Sequence, residues 1–319
     1  MLGAIIGDIA GSRFEFNPTN DYNFELFTKD CGFTDDTICT IAVADALIKG
    51  KDFGQSIHEW CRKYPHPMGA YGGRFSQWVH SDNPQPYGSF GNGAAMRVSP
   101  VAYWYETMDE VLDAAAATAQ PTHNHDEGIK GAQTVAMAIF RAFQINHTYQ
   151  EAPLHIDEIL KECVEFSGYD INMPKSAVIN KFDETCQGTV PVALKIISMA
   201  TSYEDAIRLA VSLGADADTL GAIVGSIAEA IWGLPSGFRH EIEPFIDGDI
   251  YEVTKLFSMQ RPWYEKLLTD TTFYQKDYSE GAWDMLEDDE RRNLMTIAEK
   301  EKDKKLQLME ERGKARYNW

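Results

Sequence analysis

Three glycines spaced four residues apart near the N-terminus constrain the fold more than any other feature of the chain. Gly3, Gly7 and Gly11 lie in a segment of small and apolar residues that begins at Leu2. Residues four apart share one face of an α-helix, so these glycines form a strip without side chains. Such a strip lets another backbone approach closely, at a cost in helix propensity. We therefore expect residues 2–10 to form a buried helix packed closely against a partner.

Helical periodicity dominates the rest of the chain, and few segments alternate apolar and polar residues as strands do. Helices are predicted at residues 38–48, 94–105, 108–119, 127–145, 156–166, 190–200, 203–213 and 219–232. Pro100 limits or kinks the second of these. Asn, Asp and Pro cluster within residues 17–32 and predict a loop there. The expected fold class is all-α, with many helices around one core.

The 319 residues, 44% of them hydrophobic, suffice for one large domain or two small ones. We find no internal repeat and no linker, and therefore assign residues 1–278 to one domain. From Ser279 onward charged residues dominate and the apolar stripe is interrupted. Residues 279–319 are predicted to form a charged helical extension, solvated or packed on the body or on a second subunit. The sequence leaves the oligomeric state open.

The overall charge and the cysteines exclude several classes of protein. The formal net charge is -20 and the pI is about 4.7, so an acidic surface repels nucleic acid. No apolar run is long enough to span a bilayer, and the N-terminal segment lacks a basic start and contains Asp8, unlike a signal peptide. Five scattered cysteines indicate neither a disulfide framework nor a zinc site. We expect no membrane partner and a reduced, cytoplasmic setting.

Two short acidic clusters carry the strongest functional signal. They comprise Thr34, Asp35 and Asp36 in the first cluster, and Asp216, Asp218 and Thr219 in the second. Such oxygen-only sets suit hard divalent cations such as Mg²⁺. Asp and Thr are also favoured at helix N-caps and in first turns, which accounts for either cluster alone without a metal. Because the second cluster lies among small apolar residues, burying its carboxylates is costly unless a cation compensates them.

A Gly-rich stretch, residues 69–93, provides candidate ligand contacts. The candidates are Gly72, Gly73, Ser89, Phe90, Gly91, Asn92 and Gly93. Glycines let a backbone wrap closely round a ligand, and free N–H groups at a helix start attract phosphate. Gly-Asn-Gly is also an ordinary turn, so both interpretations stay open.

Two further residues have both a functional and an ordinary interpretation. His123 lies in Thr122-His123-Asn124-His125-Asp126, which either caps the next helix or contacts a substrate. Glu15 lies between Phe14 and Phe16, and is either an exposed loop acid or part of a pocket.

Taken in order, these pieces resemble the ADP-ribosylglycohydrolase family. The matching pieces are residues 3–11 with Glu15, then residues 34–37, 91–97, 122–123 and 216–219. The resemblance implies a compact all-α bundle with a central binuclear Mg²⁺ or Mn²⁺ site. It implies metal ligation by Thr34, Asp35, Asp36, Asp216, Asp218 and Thr219. It also implies that Ser89 to Gly93 cradle the diphosphate of ADP-ribose, with His123 against the ligand.

The chain departs from the family pattern at the second acidic cluster. The family commonly has Gly-Gly-Asp-Thr-Asp-Thr, where this chain has Gly214-Ala215-Asp216-Ala217-Asp218-Thr219. Ala217 removes a hydroxyl but no carboxylate, so we expect the site to retain its catalytic activity.

The resemblance implies metal-dependent hydrolysis at the anomeric carbon of the distal ribose, which removes ADP-ribose from a protein side chain. Glu15, Asp35 and Asp218 are the predicted catalytic residues, with Glu15 or Asp35 assisting proton transfer. The expected cofactors are two divalent ions, Mg²⁺ or Mn²⁺, and the expected partner is an ADP-ribosylated protein or a small ADP-ribosyl conjugate. Arginine is favoured as the leaving group. The alternatives are a serine, nucleobase or small-molecule linkage, or a non-hydrolytic ADP-ribose-binding protein.

Overall fold

The computed structural model describes residues 1–149, 151–261, 264, 303–304, 306–316 and 319. Within these residues the chain is mainly helical, with two isolated bridges and no β-strand, which confirms the all-α fold class. The α-helices in chain order are α1 (Leu2–Gly11), α2 (Asp35–Lys49), α3 (Phe53–Lys63), α4 (Gly73–His80), α5 (Gly93–Met96), α6 (Ser99–Trp104), α7 (Met108–Ala119), α8 (Asp126–Tyr149), α9 (Ile156–Ser167), α10 (Cys186–Met199), α11 (Tyr203–Val211), α12 (Ala217–Trp232), α13 (Phe238–Ile242) and α14 (Gly248–Gln260).

The glycine strip of α1 packs against α12, and every residue of α1 is buried. The opposed positions are Gly3 with Gly225, Gly7 with Gly221, and Gly11 with Ala217. A Cβ atom added at Gly7 would lie only 2.0 Å from the carbonyl oxygen of Gly221. The predicted close backbone approach is therefore confirmed. Because the pairing runs antiparallel, the C-terminal end of α1 lies beside the N-terminal end of α12.

Helix α2 crosses the same core and begins at the first acidic cluster. Thr34 caps it by accepting a hydrogen bond from the backbone N–H of Asp36 at 3.2 Å, which fixes the entry of the chain into the helix. The long helix α8 packs against α12, α7 and α9 and closes the other side of the bundle.

The prediction of one helix over residues 94–105 is wrong. Two short helices, α5 and α6, are separated by Arg97 and Val98. Pro100 lies in the first turn of α6, where its missing N–H leaves no hydrogen bond unmade. The predicted loop at residues 17–32 contains no helix, whereas α3, α4, α13 and α14 lie outside the predicted segments.

Part of the predicted C-terminal extension lies within the described residues. Residues 306–316 are helical, and Arg316 forms an ion pair with Asp205 at 3.0 Å. The remaining residues of 279–319, except 303, 304 and 319, lie outside the described part, so the domain boundary at 279 stays a prediction. No helix in the described ranges combines the length and apolar character needed to cross a bilayer.

Candidate active site

The two acidic clusters meet at the N-terminal ends of α2 and α12. The hydroxyl of Thr219 donates a hydrogen bond to Asp36 Oδ2 at 3.1 Å, which joins the clusters directly. Asp216 lies at the N-cap position of α12, and Asp218 lies in its first turn. The antiparallel pairing of α1 with α12 also brings Glu15, which follows the end of α1, close to Asp218. Residues 183 positions apart in the chain therefore converge on one site.

Asp8 organises the first cluster from behind, a role that its place in the sequence did not reveal. Its carboxylate accepts hydrogen bonds from the backbone N–H of Thr34 at 3.0 Å and of Thr37 at 3.1 Å. The hydroxyls of the same two threonines also donate to it. Burial raises the pKa of Asp8 to about 6 in spite of these four donors. Its signal in the sequence was a single acid inside an otherwise apolar buried helix.

The carboxylates in the site destabilise one another's charged forms. Only 2% of Asp36 and 3% of Asp218 is exposed, and burial raises both pKa values well above the usual range. Negative charges on neighbouring aspartates raise them further. Burial raises the pKa of Asp216 to about 7, although hydrogen bonds from Asp218 and Asn92 oppose the shift. Burial and the nearby Asp218 raise the pKa of Glu15 to about 8. A site of this kind is stabilised by a cation.

The donor set fits hard divalent cations. Asp36 Oδ1, Asp218 Oδ1 and Glu15 Oε2 are buried and make no hydrogen bond within the described residues. Buried carboxylate oxygens without donors are costly, and Mg²⁺ or Mn²⁺ ligation removes that cost. No three acidic, histidine or cysteine side chains among the described residues already form a ligand cluster for one ion.

The converged clusters form the floor of an open cleft of about 270 Å³. Most of the predicted site residues line it, namely Glu15, Asp35, Asp36, Gly72, Gly73, Ser89, Gly91, Asn92, Gly93, His123, Asp216, Asp218 and Thr219. Phe90 and Thr34 do not. The ring of Phe90 is 43% exposed and lies edge-on to His125 at 5.3 Å. Thr34 is fully buried and bonded to Asp8, so its role as a ligand stays a prediction.

The Gly-rich loop of Ser89 to Gly93 is tied to the acidic floor. The Asn92 side chain donates to Asp216 Oδ2 at 2.7 Å, and its backbone N–H donates to the carbonyl of Glu184 at 2.7 Å. A Cβ atom added at Gly93 would lie 3.2 Å from His123 Nε2, so the absence of a side chain there lets the imidazole reach the loop. The loop, the imidazole and the carboxylates therefore share one cleft.

The carboxylate of Glu15 lies against the loop that precedes α4. A Cβ atom added at Gly69 would lie 2.3 Å from Glu15 Oε2, and Gly69 has a φ of +79°, which favours glycine. Glu15 is partly buried and lines the cleft wall, so it is a pocket residue and not an exposed loop acid.

His123 is buried, and its Nδ1 lies 2.6 Å from the hydroxyl of Thr122. Burial, and to a lesser extent the positive charge of Arg97, lower its pKa well below the usual range, so the imidazole is neutral. Arg97, which the sequence did not single out, is fully buried and lines the cleft with Tyr87 and Glu184. Its signal was a lone cation directly after a run of small apolar residues.

Comparisons with known proteins identify the family of the chain. A family model described as ADP-ribosylglycohydrolase matches residues 1–266. Mouse ADP-ribosylhydrolase ARH3 is 24% identical, over 78% of this chain and 88% of the relative. The ADP-ribosyl-[dinitrogen reductase] glycohydrolase of Rhodospirillum rubrum is 24% identical, over 78% of this chain and 91% of the relative. ADP-ribosylarginine hydrolase Tri1 of Pseudomonas putida is 24% identical, over 73% of this chain and 70% of the relative.

Among solved structures, a chain of an ADP-ribosylglycohydrolase-related protein complex has a similar fold. The TM-score is 0.59 at 22% sequence identity, and the match covers 84% of this chain and 96% of that chain. The fold and the matched family together define an enzyme that hydrolyses glycosyl bonds. The chain belongs to the ADP-ribosylglycohydrolase family, which confirms the resemblance found in the sequence.

Proposed function

We propose that this protein removes ADP-ribose from ADP-ribosylated arginine side chains in a reaction that depends on divalent cations. The observation that carries the proposal is the convergence of the two acidic clusters, through the Thr219–Asp36 hydrogen bond, on the floor of a cleft with a Gly-rich wall. Two relatives support the arginine linkage and the protein substrate by name: one is an ADP-ribosylarginine hydrolase, and the other acts on ADP-ribosyl-dinitrogen reductase.

Two Mg²⁺ or Mn²⁺ ions are proposed as cofactors of this site. Their ligands would be drawn from Thr34, Asp35, Asp36, Asp216, Asp218 and Thr219. When bound, such ions supply charge neutralisation and Lewis-acid polarisation at the reacting sugar. The orphaned oxygens of Asp36 and Asp218 support this assignment.

The side chains of the cleft would bind and orient the rest of the ligand. The loop from Ser89 to Gly93 would follow the diphosphate, and the Asn92 side chain would keep that loop in register with Asp216. His123 would contact the ligand from beside the loop. Glu15, or an oxygen of Asp35 that does not bind metal, would transfer the proton between the leaving atom and water. Both carboxylates line the cleft, which supports this role.

Acidic and aromatic residues in and next to the cleft segment support arginine as the leaving group. Glu15 and Glu184 line the cleft. Phe16, which directly follows Glu15 in the chain, is 71% exposed, and its ring lies 6.1 Å from that of Phe182. A planar guanidinium would be attracted by aromatic faces and by carboxylates, whereas a neutral serine leaving group would gain neither interaction.

A direct assay tests the proposal. Release of free ADP-ribose is measured from arginine-linked and serine-linked peptides with Mg²⁺, with Mn²⁺ and with EDTA. We expect release from the arginine-linked peptide that EDTA abolishes. Metal-dependent release from only the serine-linked peptide would show that the substrate linkage is to serine and not to arginine. Binding of ADP-ribose without release would favour a non-hydrolytic binding protein.

Matched variants connect the activity to the site. Asp218→Asn should lose both turnover and the rise in Tm that the metal produces, because it removes a buried ligand carboxylate. Asp113→Asn, at an exposed aspartate of α7, makes the same chemical change and should leave both unchanged. Full activity of Asp218→Asn in EDTA would refute the metal-dependent scheme.

Glu184→Gln tests the choice of leaving group. The backbone carbonyl that accepts the Asn92 N–H is retained, so the loop stays anchored. We expect KM to rise for the arginine-linked peptide only. An equal change for both peptides would show that Glu184 does not select the leaving group.

A cytoplasmic setting remains part of the proposal. All five cysteines are free thiols and buried in the structure, which supports a reducing compartment. Localisation of the tagged protein by fractionation would test it.

A further inference from the structure

A chain of hydrogen bonds runs from Arg97 through Thr122 to His123. Arg97 Nη2 donates to Thr122 Oγ1 at 2.9 Å and to the carbonyl oxygen of Thr118 at 2.7 Å. Thr122 Oγ1 in turn lies 2.6 Å from His123 Nδ1. Arg97 and Thr122 are fully buried, so water does not compete for these contacts.

The chemistry of the three groups fixes the direction of this chain. A guanidinium has only donors, so Thr122 Oγ1 must accept from Arg97. The hydroxyl has one proton and two lone pairs. If it also accepted from an Nδ1–H of His123, its own proton would have no acceptor among the described residues, because its two partners there are Arg97 Nη2 and His123 Nδ1. The proton therefore points towards His123. Nδ1 then accepts it. In a neutral imidazole one nitrogen accepts while the other carries the proton, so the proton of His123 lies on Nε2.

The protonated nitrogen faces the Gly-rich loop. Cβ atoms added at Gly91 and Gly93 would lie 3.3 Å and 3.2 Å from Nε2. Within the described residues the His123 ring makes one hydrogen bond, and it is at Nδ1. Nε2 therefore has no hydrogen-bond partner among them. A donor is therefore held in the cleft wall without a protein acceptor.

We propose that Arg97 and Thr122 are positioning residues that hold His123 as the neutral Nε2–H tautomer, so that Nε2 donates a hydrogen bond to an anionic oxygen of the ligand at the Gly-rich loop. The identity of that ligand as the diphosphate of ADP-ribose rests on the proposed function. The tautomer itself does not, because it follows from the three protein groups alone.

The surroundings of the ring are consistent with this assignment. The cation that faces it is Arg97, and the neighbouring ring of Tyr87 lies with its centroid 6.3 Å away. The burial of the ring and the charge of Arg97 both disfavour the imidazolium. A doubly protonated ring would place an N–H on Nδ1 against the hydroxyl, and the hydroxyl proton would then lose its acceptor.

Long-range ¹⁵N–¹H NMR of histidine-labelled protein tests the tautomer without any ligand. His123→Gln identifies the His123 resonance as the one that disappears. We expect a neutral Nε2–H ring in the wild type and in Thr122→Ser, and a mixture of tautomers in Thr122→Val. An Nδ1–H ring in the wild type, or an unchanged Nε2–H ring in Thr122→Val, would overturn the proposal.

Binding of ADP-ribose, measured by calorimetry, tests the consequence. Thr122→Val keeps the shape of the side chain and should weaken binding about threefold to tenfold, the range of one hydrogen bond. Thr122→Ser keeps the hydroxyl and should bind as the wild type does. Equal weakening in both variants would indicate packing alone and would overturn the positioning role.

The two proposals fail in distinguishable ways. If the wild type does not bind ADP-ribose, the proposed ligand is wrong, while the NMR result on the free protein still decides the tautomer. If ADP-ribose binds and is released normally but the tautomer is Nδ1–H, only the positioning proposal fails.

Discussion

Replacing Gly7 by Ala would test the packing that holds the active site together. Gly7 lies in the middle of α1, against Gly221 of α12. An added Cβ atom would lie 2.0 Å from the carbonyl oxygen of Gly221 and 2.4 Å from its carbonyl carbon. Both neighbours are backbone atoms, so no flexible side chain can move aside.

The expected cost follows from these distances. Ordinary van der Waals contact begins at 3.4 Å, so the two helices must separate by more than 1 Å at this point. Overpacking a core typically costs about 1–3 kcal/mol, and a forced backbone separation lies at or above the upper end of that range. Alanine recovers about 1 kcal/mol through its higher helix propensity. The net loss of stability is about 2 kcal/mol, or about 3 °C in Tm for a chain of this length.

Thermal and urea unfolding measure this loss, and Gly248→Ala is the matched control. Gly248 begins α14, and an added Cβ atom there meets nothing within 4 Å. The same exchange should therefore leave stability unchanged or raise it slightly. A Gly7→Ala protein as stable as the wild type would refute the close approach of α1 and α12.

The same variant has a functional consequence, because α1 and α12 carry opposite sides of the site. Separation of the helices moves Asp8 and Glu15 away from Asp218. We expect the rise in Tm produced by Mg²⁺ or Mn²⁺ to shrink in Gly7→Ala even after its lower starting Tm is subtracted. An undiminished rise would show that the site does not depend on this pairing.

Three further changes probe the groups behind the cleft. Below pH 6.5 His123 takes up a proton in the unfolded chain but not in the folded protein. The free energy of unfolding therefore decreases as the pH is lowered, by up to about 1.4 kcal/mol per pH unit. Urea unfolding at pH 7 and at pH 5.5 measures this decrease, which should be about 1 kcal/mol smaller in His123→Gln than in the wild type. Asp8→Asn replaces a carboxylate that accepts four hydrogen bonds by an amide with one acceptor oxygen, and should lower the free energy of unfolding in urea by about 3 kcal/mol. An unchanged free energy of unfolding would contradict the role given to Asp8. Asn146→Ala leaves the carbonyl of Ile231 and the N–H of Ala152 without the partners they have at 2.9 Å, and should lower Tm by about 5 °C; an unchanged Tm would mean that water replaces the amide.

The sequence predicted the parts of the site better than their relation to one another. The spacing of Gly3, Gly7 and Gly11 predicted a close backbone partner, but nothing in that pattern identified α12 as the partner. Periodicity is a local property, whereas the choice between equally apolar helices depends on the packing of the whole core. The convergence of the two acidic clusters therefore came from the family resemblance and not from spacing.

Groups that act through other groups were the least predictable. Asp8 and Arg97 were visible only as single charges among apolar residues, a pattern that fits any buried ion pair. Their roles depend on the direction of side chains from three separate segments, which no spacing rule specifies. Pro100 shows the same limit at the backbone level, because a proline ends one helix or begins the next with equal ease.

The antiparallel pairing of α1 with α12 also sets the order of events during synthesis. Residues 2–11 leave the ribosome more than 200 residues before residues 217–232, which at about 5–20 residues per second is an interval of about 10–45 s. Throughout that interval the apolar surface of α1, including Ile5, Ile6 and Ile9, lacks its eventual partner. The apolar face of α1 therefore stays without its partner for much of synthesis, and the active site cannot form before α12 has been made.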